Sequence, residues 1–230
     1  MSIDERSYIQ TAGAKNSDLA QGSLAARKVL RNTYLLLAMT LAFSAFVAGV
    51  AATTGAKPLG LIVTLVGYFG LLFAVTKFRN SGVGVALVFA LTGFMGYTLG
   101  PLIGFYLQTP GGSSIVMTAL GGTAVVFFVM SAIAVTTKKD LSFMGSFLAI
   151  GILVAFLAGL GAIAFNLPML SLAVSAAFVL LASGLILFET NNIIRGGETN
   201  YVMATVTLYV SLYNLFVSLM HILGAFSGDD

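Results

Sequence analysis

The chain has 230 residues, 58% of them hydrophobic and only 8% charged, with a mean hydropathy of +1.01 and a formal net charge of +3. Soluble domains carry about 25% charged residues, so this supply cannot cover a water-facing surface and the outside of the protein must face lipid. The absence of cysteine and the single histidine exclude disulfides, thiolate metal sites, cysteine nucleophiles and His-rich metal sites.

Residues 1–31 are polar and mixed in charge, with Asp4, Glu5, Arg6, Lys15, Asp18, Arg27, Lys28 and Arg31. The first apolar run begins near Thr33 and continues to Ala52. It is too long for the apolar stretch of a signal peptide, and no small-residue cleavage site follows it. The expected organisation is a disordered cytoplasmic tail over 1–31 and one transmembrane domain over 32–230. A spanning helix needs roughly 20 apolar residues. The apolar runs predict helices at 33–53, 59–76, 83–107, 114–135, 143–165, 168–189 and 201–225. The fold class is therefore an all-α membrane protein, a bundle of seven transmembrane helices. Short breaks rich in Gly, Pro, Asn and charge separate the runs.

Charge placement orients the bundle. Arg6, Lys15, Arg27, Lys28 and Arg31 lie in the tail, and Lys77, Arg79, Lys138, Lys139 and Arg195 lie in the second, fourth and sixth loops. Ten of the eleven Lys and Arg thus fall on one side, and only Lys57 on the other. By the positive-inside rule the N-terminus is cytoplasmic, and seven spans place the C-terminus, with Asp229 and Asp230, on the outer side. In the third helix Gly96, Gly100 and Gly104 recur every four residues, a spacing that lets a neighbouring helix approach closely. Pro101 among them is expected to bend that helix.

Few polar groups sit where they could carry chemistry. Asp140 lies in a loop beside Lys138 and Lys139 and reads as part of a solvated charge cluster. Glu189 ends an apolar run, in Leu187-Phe188-Glu189-Thr190-Asn191-Asn192. If helical register continues to Ile194, Glu189 lies inside the bundle near its cytoplasmic end, and an intramembrane carboxylate is a functional candidate. The other reading is an interfacial Glu that reaches water or pairs with Arg195. Ser211, Asn214 and Ser218 share one face of the last helix and are expected to hydrogen-bond to neighbouring helices. His221 reads as an interface residue near the outer end.

Several enzyme classes fail on inspection. An intramembrane aspartyl protease needs two facing carboxylates, and no predicted helix contains an Asp. His221 has no Gly-x-Ser-x-Gly elbow to serve. There is no phosphate-binding loop, and every Lys lies in the tail or a loop, so none is placed to carry a retinal Schiff base. The residues point away from catalysis.

Three segments carry a resemblance. Lys138-Lys139-Asp140-Leu141-Ser142-Phe143, Phe188-Glu189-Thr190-Asn191-Asn192-Ile193 and Leu208-Tyr209-Val210-Ser211-Leu212-Tyr213-Asn214-Leu215-Phe216 together resemble the Bax inhibitor-1 family, over nearly the whole chain from residue 27. The resemblance implies a seven-helix bundle with a central seventh helix. It also implies, for some members, pH-dependent Ca²⁺ conduction sensed by two carboxylates, one on helix 6 and one on helix 7. The first position matches Glu189, and the second matches Ser211, which is not acidic. Asn191, Asn192, Asn214 and Arg195 are candidate supporting polar residues. Gly196-Gly197-Glu198-Thr199-Asn200-Tyr201 resembles a proteobacterial branch that implies a non-enzymatic inner-membrane regulator. Its implied partners are the bilayer and a membrane-anchored ATP-dependent FtsH-type protease, with no cofactor and no metal. The alternative is a Ca²⁺ or proton leak channel. The tail suits the first role, because its 31 residues reach roughly 100 Å when extended.

Overall fold

The computed structural model describes residues 22–227 in full, and of residues 3–21 only that they lie in the first helix. The helices are α1 (Ile3–Thr53), α2 (Leu61–Phe78), α3 (Gly82–Leu107), α4 (Gly112–Thr136), α5 (Phe143–Ala164), α6 (Pro168–Ile194) and α7 (Tyr201–Phe226). All seven are long and apolar enough to cross a membrane. The shortest, α2, has 18 residues and rises about 27 Å, close to the ~30 Å of hydrocarbon it must cross.

Six of the helices lie where the apolar runs put them, and α6 extends past residue 189 to Ile194. The start of α1 differs from the reading at residue 33, since residues 22–32 already belong to the helix. Ala25, Ala26, Arg27, Lys28, Leu30 and Arg31 are strong helix formers. Charge there marks the edge of the hydrocarbon and not the end of the helix. The rest of the expected tail, residues 1–21, lies outside the fully described residues.

Helix α7 is the centre of the bundle. It packs on α6, α4, α1 and α3 and buries Leu208, Tyr209, Leu215 and Met220 almost completely. The most extensive interface, however, joins α1 to α3. A Cβ on Gly100 would meet the Ala51 backbone at 3.0 Å, and one on Gly104 would meet the Ala52 carbonyl at 3.4 Å. Gly96 faces the Ser44 backbone in the same way. The glycine face expected from spacing is thus the seat of α1, and α3 runs as one helix through Pro101. Helices α2 and α5 lie outside, on α3 and α6 respectively. They leave Ile62, Val66, Phe73, Phe147 and Ile150 exposed, as a lipid-facing helix must.

Hydroxyls inside hydrocarbon need an acceptor, and many find one a turn back on their own helix. Thr40, Thr123, Ser183 and Ser211 all donate to the carbonyl four residues earlier.

Candidate functional site

The polar side chains gather at the end of the bundle where α1 enters and α6 passes to α7. Glu189, Thr190 and Asn191 occupy the last turns of α6 and are all buried. Their helix ends at Gly196, whose φ of 78° lies in the left-handed region that favours glycine. The Gly197 amide then donates back to the Asn192 carbonyl at 2.9 Å. Tyr34 of α1 reaches across to Thr190, with its hydroxyl 3.3 Å from the threonine Oγ1.

Asn200 organises the next element. Its side-chain oxygen accepts from the Val202 and Met203 amides at 3.0 and 3.1 Å and caps α7. Its side-chain nitrogen donates to the Arg79 carbonyl at 3.2 Å and to Asn80 Oδ1 at 2.7 Å. The Asn200 amide donates to Glu198 Oε1 at 2.6 Å. Arg195 Nη2 donates to the Lys138 carbonyl at 2.5 Å. Two residues of the α6–α7 loop therefore tie together all three loops at this end. Sequence reading missed Asn200; its signal was an Asn immediately before an apolar run.

Glu189 stands apart from this lattice. It is 6% exposed, and among the described residues no hydrogen bond or ion pair reaches its carboxylate. The charge that bears on it is Glu198, another carboxylate. Arg195 is not its counter-ion, because that side chain is exposed and bonded to Lys138. Ser211 is buried on α7, yet its hydroxyl donates to the Thr207 carbonyl at 2.7 Å and not to Glu189. Asn192 and Asn214 are half-buried. Among the described residues no three of His, Asp and Glu gather as a metal site.

The expectation that the Ser211 face would bond to other helices is corrected. The tyrosines on the same helix do so instead. Tyr209 donates to the Thr92 carbonyl at 3.2 Å and lies 2.6 Å from Ser44 Oγ, joining α7 to α3 and α1. Tyr213 and Thr98 pair at 2.9 Å. His221 does lie at an interface, with Nδ1 2.8 Å from Ser175 Oγ of α6. Asp140 is exposed and accepts from the Ser142 hydroxyl at 2.6 Å and the Ser142 amide at 2.9 Å. Those two bonds, with weaker attraction from Arg195, hold its carboxyl below the ordinary value of 3.8.

A seven-helix membrane bundle with a central last helix and a buried Glu closing α6 narrows the choice of family. The family model Bax1-I, described as inhibitor of apoptosis-promoting Bax1, matches residues 26–228. The chain belongs to this family. Within the Bax1-I family it is 54% identical over 206 residues to the "Modulator of FtsH protease YccA" of Escherichia coli strain K12, covering 90% of this chain and 94% of that one. The "Inner membrane protein YccA" of Escherichia coli O6:H1 matches to the same extent. An "Uncharacterized membrane protein" of Vibrio cholerae is 42% identical over 209 residues, with 90% of this chain and 94% of that one covered.

Proposed function

We propose that this chain is a regulatory protein of the bacterial inner membrane that engages and modulates an FtsH-type membrane protease. The observation that carries the reading is the 54% identity, along nearly its whole length, to a protein named a modulator of that protease. The architecture suits a regulator. Its polar centre is closed by hydrogen bonds among Ser44, Tyr209, Thr98 and Tyr213, and its basic end is laced by Asn200 and Arg195.

The basic end faces the cytoplasm in this proposal. Eight Lys and Arg among the described residues lie there, against Lys57 alone at the other end, which is the asymmetry that orients membrane proteins. Residues 1–21, ahead of the span Gly22–Thr53, then lie on the side of a cytoplasmic ATPase, where the protease can engage them. A leak channel gated by two carboxylates is the weaker reading, because Ser211 supplies no second acid and its hydroxyl is held by Thr207.

The test is affinity purification of the full chain from native bacterial membranes. Co-purification of the FtsH-type protease is expected, and deletion of residues 2–21 should slow the chain's degradation by it while the bundle stays folded. Failure of the protease to co-purify, with unchanged proteolysis of FtsH substrates on deleting the gene, overturns the reading.

A further inference from the structure

A cavity of about 800 Å³ lies between α1, α3, α4 and α7. It is long and narrow. On α4 its wall runs from Val116 to Ser131 and on α1 from Tyr34 to Gly49, about 22 Å along each axis at the helical rise. That exceeds the ~15 Å depth of one leaflet of hydrocarbon. Divided by its length, the volume gives a mean section of about 36 Å², room for one flexible chain whose carbons keep their usual ~4 Å contacts.

The cavity is open at its side. Helices α1 and α4 have no packed interface; they meet through the Tyr34–Phe127 ring pair, 5.7 Å between centroids. Along the rest of the cleft the edges are Ala38, Ala45 and Gly49 on one helix and Leu120, Ala124 and Phe128 on the other, all exposed. These edges face the bilayer, so what enters is hydrocarbon.

The wall offers an occupant almost no polar group. The hydroxyls of Tyr34, Ser44, Thr123, Tyr209 and Tyr213 already have partners within the protein. Ser131 is the exception: its Oγ is buried and has no partner. It sits at the end of the cavity nearest the basic loops, one turn beyond Phe127. Exposed Arg27, Lys28 and Arg31 precede Tyr34 on α1, and exposed Lys138 and Lys139 follow Ser131. Lys138 lies about 10 Å beyond Ser131 along the chain's helical rise, roughly a headgroup's depth. Among the described residues the acids at this end are Asp140, already bonded to Ser142, Glu198, bonded to Asn200, and buried Glu189. Basic mouths between spanning helices attract anionic headgroups.

We propose that the α1–α4 cleft binds one acyl chain of an anionic phospholipid. A turn of its χ1, which breaks no existing bond, lets the Ser131 hydroxyl donate to the glycerol ester carbonyl, and the basic residues flanking Tyr34 and Ser131 meet the phosphate. The Tyr34–Phe127 pair clasps the chain below its ester. This site is independent of the protease reading.

The experiment places the full chain in nanodiscs containing phosphatidylglycerol with a photoreactive group in its acyl chain, and maps the labelled residues by mass spectrometry. Labels are expected to cluster on Ala38, Ala45, Leu120 and Ala124 and to be competed away by excess ordinary phosphatidylglycerol. Ala124→Phe and Ala45→Phe, which fill the slot from opposite walls, should each lower that cluster about tenfold, equivalent to ~1.4 kcal/mol of binding. Lys138→Gln with Lys139→Gln should erase the preference for phosphatidylglycerol over phosphatidylcholine. Labelling that is not saturable in the native protein, or that is as dense on α2 and α5 as in the cleft, overturns the site. This readout stands even where a filled variant fails to fold. Equal labelling from the two lipids overturns the anionic headgroup.

Discussion

Removing the Tyr209 hydroxyl tests whether the three-helix junction is held by a bond or merely by packing. The side chain is 2% exposed and its hydroxyl donates to the Thr92 carbonyl and lies 2.6 Å from Ser44 Oγ. Since the tyrosine proton goes to Thr92, Ser44 is the donor to Tyr209. Tyr209→Phe keeps the ring and leaves the Ser44 hydroxyl, 3% exposed, with no acceptor from Tyr209. Leaving one buried polar group unsatisfied costs about 1–3 kcal/mol. Hydrogen bonds between membrane helices average only about 0.6 kcal/mol and reach about 1.7, so the expected loss is about 1–2 kcal/mol. Ser44→Ala should cost about 1 kcal/mol, because Tyr209 keeps Thr92 as its acceptor. The double variant should be little worse than Tyr209→Phe alone, since both ends of the bond are then gone. The assay is equilibrium unfolding of the four proteins in bicelles, read as a double-mutant cycle. Strict additivity, with no coupling beyond error, would show that the 2.6 Å contact contributes nothing and that packing alone holds α1 and α3 to α7.

Gly100→Leu should destabilise by about 1–3 kcal/mol through overpacking, because its new Cβ meets the Ala51 backbone; Gly121→Leu, where nothing lies within 4 Å, should cost far less in the same unfolding assay. Asn200→Ala should cost about 1–2 kcal/mol, more than a simple cap, since it also frees the loop at Arg79 and Asn80, and limited proteolysis should then cut at 195–200 faster. The Asp140 carboxyl titrates below its ordinary 3.8, so its hold on Ser142 is complete above that value and is lost as pH falls through the depressed one. Hydrogen exchange at the start of α5 should therefore quicken only in strong acid, and Asp140→Asn should remove that pH dependence.

Much of the fold was legible because the bilayer imposes one length on every element and turn residues mark its ends. Gly55, Pro58, Gly82, Pro110 and Pro168 bound apolar runs in the sequence and flank helices in the structure. The Gly96–Gly100–Gly104 face was legible because backbone contact tolerates only small residues. What was not legible is which helices meet. These helices are apolar all round, so periodicity gives no inner face. The Ser44–Tyr209 bond joins residues 165 apart, with no local pattern to announce it. Ser211, singled out for its spacing, turned inward to Thr207, because a serine in a helix always has a carbonyl one turn behind it. A tyrosine has no such option. Its hydroxyl stands too far from its own backbone, so an inward-facing tyrosine takes its partner from another helix. Buried Tyr209 and half-buried Tyr34, Tyr106 and Tyr213 all do so.

The same asymmetry between side chains divides this molecule into a closed part and an available part. Around α7 the hydroxyls of Tyr209, Tyr213, Ser44, Thr98 and Ser211 are bonded to one another or to backbone, so a ligand at the centre would have to break existing bonds before making its own. Other groups have capacity to spare, among them the exposed cations at the basic end, the buried Thr33 and Ser131 hydroxyls, and Glu189, on which the like charge of Glu198 bears. A protein that binds partners through such groups works at its membrane surface and its lipid-facing side. That is the side from which a partner anchored in the same bilayer, or a lipid, would meet it.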